Sequence, residues 1–349
     1  MRVSKVVIVG TLFSTVISGC GGGGSSSSPP TSYPGGGSSA TQPPPVALVQ
    51  PASLQVATSA NYVAGSSEDI AFKKLNAFRA SQGLGPVNQD VRIDAAARSH
   101  AAYVTMNQSG ADPHNEVVGK PGFTGVTVQD RLKAAGYAST RSSEVIAFSL
   151  QSSNPDTSAV DNLINSVYHR SAMMIQGLTH VGISGENANS PLYANFGAIK
   201  LQNNAGDFVS FYPTNQQTGV WLTHSLESPN PFYQEMDMTQ ANMCLKTSSP
   251  ISVVSETSTA LTVTSFTVTE DGQAMPLAAR LITKSTSTQD TIYLPANEAY
   301  LIGKAPFKPN TKYNVRFIGN ATGPATGTTN GLIVDKSWSF TTGSYTRSC

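Results

Sequence analysis

Between residues 6 and 67 the chain contains no Asp, Glu, Lys or Arg. An ordinary soluble domain is about one quarter charged, so a charge-free stretch of this length cannot present a normal folded surface. Within it, residues 21–45 hold seven Gly, seven Ser and six Pro. Such a segment has little apolar surface to bury and cannot offset its own ordering entropy. It reads as a tether, flexible at its Gly/Ser end and stiffer at Pro43-Pro44-Pro45. Residues 46–60 are more apolar, with no assigned packing partner. Folding capacity is therefore concentrated in residues 66–349, enough for about two domains of ~100–200 residues each.

The first residues form an export address. Arg2 and Lys5 precede an uncharged apolar run over 6–17, which matches a signal-peptide core and falls short of the ~20 residues that a membrane-spanning helix needs. The run ends in Ile17-Ser18-Gly19-Cys20. This resembles the bacterial lipobox, which implies cleavage after residue 19 and lipidation of Cys20; the bland alternative is an ordinary signal peptide with a chance cysteine. Gly21 rather than Asp after the cysteine is similar to the default signal for the outer membrane where two membranes exist. The expected localisation is exported and lipid-anchored at the cell envelope, or extracellular, with the membrane as a partner through the Cys20 anchor. Once Cys20 is lipidated, Cys244 and Cys349 remain, and export to an oxidising compartment predicts a disulfide between them.

Two textures follow. In residues 66–232 helical periodicity comes first. Ser66 and Ser67 precede Glu68 and Asp69, and Ala71, Leu75 and Phe78 repeat at helical spacing until Gly83. Asp90 opens a second helix with Ile93, Ala97, His100, Ala101 and Val104 on one face. Short and long helices are expected over 130–135 and 157–174, then strands over 180–184, 191–201 and 208–212. After Pro229-Asn230-Pro231 the periodicity vanishes, and alternating Thr, Ser and Val over 261–264, 266–269, 291–294, 313–317 and 338–342 predict short strands. The fold class is α+β: a layered α/β domain over 66–232, followed by an all-β sandwich over 233–349.

Net charge is +1 and only 12% of residues are charged, so the chain lacks the basic excess that a phosphate-tracking surface needs, and no nucleic-acid partner is expected. No HExxH helix and no G-x-S-x-G elbow occurs, which removes two common hydrolase designs.

A series of short elements resembles the CAP superfamily of cysteine-rich secretory, antigen-five and pathogenesis-related proteins, in particular its bacterial SCP-like branch. In order along 68–212 these are Leu75-Asn76-Ala77-Phe78-Arg79 with Gly83-Leu84 and Pro86; Ala95-Ala96-Ala97 leading to His100-Ala101; the loop His114; Asp130-Arg131 with Gly136-Tyr137; Ser143-Glu144-Val145-Ile146-Ala147; Tyr168-His169-Arg170; and Val181-Gly182-Ile183. The resemblance implies an α-β-α sandwich whose central cleft is lined by two His and two acids. His114, Glu144 and His169 carry over. Ser143 and Val145 stand where the family has Gly and Asn. The second acid has no clear counterpart; Asp161 is the first choice and Glu116 the second. His100 and His180 read as structural and His224 as exposed. Residues 233–345 resemble bacterial Ig-like domains, implying a spacer or adhesion module.

The function expected is a surface-anchored lipoprotein whose cleft binds a small apolar ligand, a peptide or a cell-envelope fragment without catalysis. The alternative is a metal-assisted hydrolase, peptidase or esterase, using His114, Glu144 and His169. No cofactor is required by the first reading; the two imidazoles and one carboxylate would suit at most a weakly held divalent metal such as zinc.

Overall fold

The computed structural model describes residues 60–344, apart from 108–112, 148–157, 188–189, 200–203, 236, 240–241 and 327–330. The expected signal peptide, Cys20, almost all of the expected tether and Cys349 lie outside the described residues.

Helix α1 (Ser67–Ser81) begins where Ser66 accepts a hydrogen bond from the Asp69 backbone N–H, with Glu68 and Asp69 in the positively polarised first turn. Its buried stripe is Ala71, Phe72, Leu75 and Phe78, and Gly83, at φ +66°, turns the chain away. Strand β1 (Asn88–Gln89), helix α2 (Val91–Asn107) and helix α3 (Val128–Ala134) follow. Thr127 and Asp130 close a reciprocal capping box on α3. Then come β2 (Arg141–Ala147), α4 (Ala159–Ile164), α5 (Tyr168–Met173), β3 (His180–Ser184) and β4 (Leu192–Ala198).

These strands form one sheet in the order β1-β3-β4-β2, with β1–β3 parallel and the other pairs antiparallel. Strand alternation supplies its two apolar faces. Leu192, Ala194 and Phe196 of β4 join Val145 against α1 and α4, while Tyr193 packs with Ala97 and Ala101 of α2. The result is helix layer, sheet, helix layer. Gly182 permits the second contact to be so close: a Cβ there would lie 2.1 Å from the Asp94 backbone nitrogen of α2.

The single helix expected over 157–174 is two. Between α4 and α5 the side chains turn inward onto the backbone: Asn165 donates to the Asp161 carbonyl at 3.0 Å and Ser166 to that of Leu163 at 2.8 Å. The Val167 N–H is taken by a distant carboxylate, Glu227.

The remaining strands are β5 (Val209–Tyr212), β6 (Gln217–Val220), β7 (Ile251–Ser255), β8 (Ala260–Glu270), β9 (Ala279–Thr283), β10 (Glu298–Gly303), β11 (Lys312–Thr322) and β12 (Leu332–Thr342). They make two four-stranded sheets, β5-β7-β10-β9 and β6-β12-β11-β8. Val253, Leu301, Val268, Phe317, Val334 and Phe340 meet in the core between them. Two sequence expectations are corrected. The stretches 261–264 and 266–269 are one strand, β8. Residues 291–294 fall at the end of a helix, α6 (Thr288–Tyr293), because Ser287 caps it by accepting from the Asp290 N–H.

A third correction concerns the boundary drawn at 232/233. Strand β5 pairs with β7 over Val209↔Ser255 to Tyr212↔Ser252, and β6 pairs in parallel with β12. Both later sheets therefore take an edge strand from before the Pro229–Pro231 break, which marks a change of texture and not an end of pairing. Arg170 of α5 is fully buried on the same seam. It donates to the Pro250 carbonyl at 2.8 Å and to Ser252 at 3.2 Å, and stacks 4.4 Å above the Tyr212 ring.

Candidate functional site

Arg131 organises the first half of the site. Its side chain is fully buried. One nitrogen donates to the His114 carbonyl at 3.0 Å, and another to Oε2 of Glu144 at 2.7 Å. The other Glu144 oxygen, Oε1, lies 2.9 Å from Nδ1 of His114. Burial pushes the Glu144 carboxyl upward, but the His114 hydrogen bond and the Arg131 charge outweigh it and hold Glu144 below the usual carboxylate range. Behind this pair His100 is buried between Glu116 (Nδ1 to Oε1, 2.9 Å) and the Pro113 carbonyl (Nε2, 2.8 Å). Glu116 also accepts the Thr124 and Gly125 N–H groups, which ties down the loop that carries His114.

The second half is built around His169, at the start of α5. Its Nδ1 lies 3.0 Å from Oε1 of Glu227. Glu227 also accepts the backbone N–H groups of Val167 and His169, each at 2.9 Å. Burial raises the Glu227 carboxyl, and the bonds and charge of His169 bring it below its ordinary value. The segment holding Glu227 is fastened to the break between α4 and α5, where the Ser225 N–H donates to the Asn165 carbonyl at 2.8 Å. His224 lies fully buried, with Nε2 3.6 Å from Oε2 of Glu227, not exposed as its position in the sequence suggested.

His114, Glu144 and His169 line one open cleft of about 750 Å³. It runs along edge strand β2 and takes in Arg141 and Ser143 there, Tyr168, Ser171, Ala172 and Ile175 from α5 and the turn after it, and Pro113 and Asn115 from the loop. Its far wall is Ser228, Pro229, Lys284, Ile292, Tyr293, Leu294 and Pro295. That wall belongs to the region read from sequence as a spacer.

Of the predicted acids, Asp161 is elsewhere. It caps α4 by accepting from Ser158 and pairs with Lys74 at 2.5 Å; it is a helix-capping residue. Glu116 is committed to His100. The acid paired with the second histidine is Glu227, which sequence reading missed, because nothing near it in the chain distinguishes it from any other glutamate. The expected metal set does not assemble. Among the described residues no group of three or more His, Cys, Asp or Glu is arranged to hold an ion, so His114, His169 and Glu144 do not converge as three ligands.

Residues 72–196 match the family model described as CAP, the cysteine-rich secretory protein family. This stretch, the part of the chain similar to that family, is called the CAP domain below. It contains His114, Glu144 and His169 and excludes Glu227 and the far wall of the cleft. Among solved structures, the chain is similar to an extracellular protein containing an SCP domain from Bacillus anthracis (21% identity, 38% of this chain and 40% of that one, TM-score 0.31). It is also similar to an outer surface protein from Borrelia burgdorferi (17% identity, 42% of this chain and 100% of that one, TM-score 0.32). No curated protein matches the chain.

Proposed function

We propose that the protein is an exported, lipid-anchored binding protein whose CAP-domain cleft takes a small apolar ligand, a peptide or a cell-envelope fragment without transforming it. The observation that carries this reading is an open cavity of about 750 Å³ lined by polar and apolar side chains together, whose volume suits a small-molecule ligand. A hydrolase with a serine nucleophile would need that hydroxyl to give its proton to one of the cleft imidazoles. Ser166 lies 3.4 Å from Nδ1 of His169, but its proton goes to the Leu163 carbonyl. The neutral dye N-phenyl-1-naphthylamine tests the cleft. It should bind at one site, and Ala172→Trp, which fills the cavity, should abolish binding; a dye site indifferent to Ala172→Trp refutes the reading.

The anchor and the disulfide belong to the same proposal. Cys20→Ser should leave the signal peptide attached, visible as an uncleaved mass; normal-size mature protein would exclude lipidation at Cys20. Cys244 is buried in a short 3-10 turn, Met243–Leu245. Its pairing with Cys349 predicts no labelled thiol in denatured, unreduced mature protein, and two labelled thiols would exclude it. The two-sheet module is read as Ig-like in ancestry and as one wall of the binding site.

A further inference from the structure

The cleft has a charge imbalance that the histidine–carboxylate pairs do not explain. Two cations line it from opposite modules: Arg141 on β2 of the CAP domain, and Lys284, just after β9. Among the described residues no side chain forms an ion pair or hydrogen bond with the Arg141 guanidinium or the Lys284 ammonium. The acids close to the cleft are already engaged. Glu144 is neutralised by Arg131 at 2.7 Å and bonded to His114. Glu227 is fully buried under His169 and two backbone N–H groups. Asp290, behind the far wall, accepts the hydroxyls of Tyr168 at 2.7 Å and Ser287 at 2.6 Å. Glu298 is the acid whose field reaches Arg141; it lies fully buried with the Tyr300 hydroxyl 2.8 Å away, and burial pushes its pKa up to about 7.

An arginine left half-buried without a partner is costly unless something else supplies the anion. Beside the two cations the wall is apolar. Ile292 and Tyr293 stand 72% and 47% exposed, and the Tyr293 ring packs 5.1 Å from that of Tyr168. Exposed side chains of this size, grouped on a cavity rim, mark a contact surface.

We propose that Arg141 and Lys284 form a two-cation clamp for an oxyanion, a carboxylate, sulfonate or phosphate, on a ligand whose apolar body lies against Tyr293 and Ile292. The proposal rests on the cleft-binding reading and deepens it. It makes the C-terminal module part of the recognition site: among the described residues, the CAP domain lines the cleft with one arginine or lysine, Arg141, and Lys284 adds the second from the opposite wall. Planar, fork-shaped Arg141 supplies direction to the clamp, and flexible Lys284 supplies a point charge that reaches ligands of different length.

The test compares two dyes that share one apolar body. 1-Anilinonaphthalene-8-sulfonate carries an oxyanion, and N-phenyl-1-naphthylamine does not. Titrations use the full mature chain. The anionic dye should bind more tightly than the neutral one, and added salt should weaken only the anionic dye. Arg141→Met should weaken the anionic dye about tenfold and Lys284→Met about threefold, and the neutral dye by less than about twofold. Tyr293→Ala should weaken both. Lys284 is exposed, so its variants test the clamp even if Arg141→Met folds poorly, and Lys284→Glu should repel the anionic dye further. Equal binding of the two dyes, with no response to the Lys284 variants, overturns the clamp and leaves the cleft reading standing. Binding of neither dye, or binding indifferent to Ala172→Trp, overturns both.

Discussion

The two histidine–carboxylate pairs of the cleft are chemically alike and architecturally opposite. His114 and Glu144 are 30 residues apart, both within the CAP domain, and Arg131 from the same domain locks them together. His169 meets Glu227 across 58 residues, and that carboxylate arrives after β6, on a segment that leads into the C-terminal sheets. The three consecutive residues of the Tyr168-His169-Arg170 motif all depend on later chain. Tyr168 donates to Asp290, His169 pairs with Glu227, and Arg170 enters the seam at Pro250 and Ser252. One end of the cleft is therefore self-contained, and the other is completed by the module that follows it.

The largest test of this contrast is to cut the chain at 232/233. The piece 233–349 loses β5 from one sheet and β6 from the other, and the piece 66–232 exposes Arg170 without its carbonyl partner. We expect a single cooperative transition in calorimetry of the full chain and none in isolated 233–349. A cooperative transition in that piece alone would break the comparison, since the C-terminal sheets would then not need the strands they borrow.

A smaller effect sharpens it at the seam. Glu298 is fully buried near Ser171, Arg170 and Arg141, and burial raises its pKa to about 7 despite bonds from Tyr300 and Ser171. An acid whose folded pKa lies above its unfolded value binds its proton more tightly when folded. Stability linked to it is present below about pH 4.5 and declines as pH rises to about 7, by on the order of 3 kcal/mol. Glu298→Gln should remove that decline, so that denaturant midpoints at pH 8 rise above those of the parent and those at pH 4.5 match it. Parallel pH profiles for both proteins would show that Glu298 titrates normally.

The smallest expected effect separates the pairs themselves. Glu144 and Glu227 have depressed folded pKa values, so each contributes stability above the ordinary carboxylate range that is lost as pH falls through its lowered value. Glu144→Gln and Glu227→Gln should each cost about 1–2 kcal/mol near neutral pH. Glu144→Gln should shift the His114 imidazole resonances and leave those of His169 in place, and Glu227→Gln should do the reverse. Cross-perturbation of equal size would mean that the cleft is one coupled network.

How much of this was readable follows the same division. Periodicity and caps located α1, α2, α3 and β3, and the ordered CAP-like motifs singled out His114, Glu144 and His169, because each lies in a local pattern with its own spacing. Glu227 sits in Ser225-Leu226-Glu227-Ser228, a run with no local pattern, and its importance comes from a fold that lays it across the start of α5. Asp161 was the wrong acid for a local reason: three residues after Ser158 it is placed to cap its own helix. Residues 291–294 were misread because Thr and Ile favour strands by side-chain shape, whereas Ser287 and Asp290 decided the conformation by satisfying the helix start.

The sequence by itself determined the charge-free stretch, the change from helical to strand texture along the chain and the identity of three cleft residues. These depend on composition or on spacing within one element, and such interactions are short in sequence. Only the tertiary structure decided that Glu227 faces His169, that the late sheets borrow β5 and β6, and that Lys284 and Tyr293 wall the cleft. Each of those joins residues from different elements, and what brings them together is the burial of surfaces such as the Arg170 seam, which no local pattern encodes.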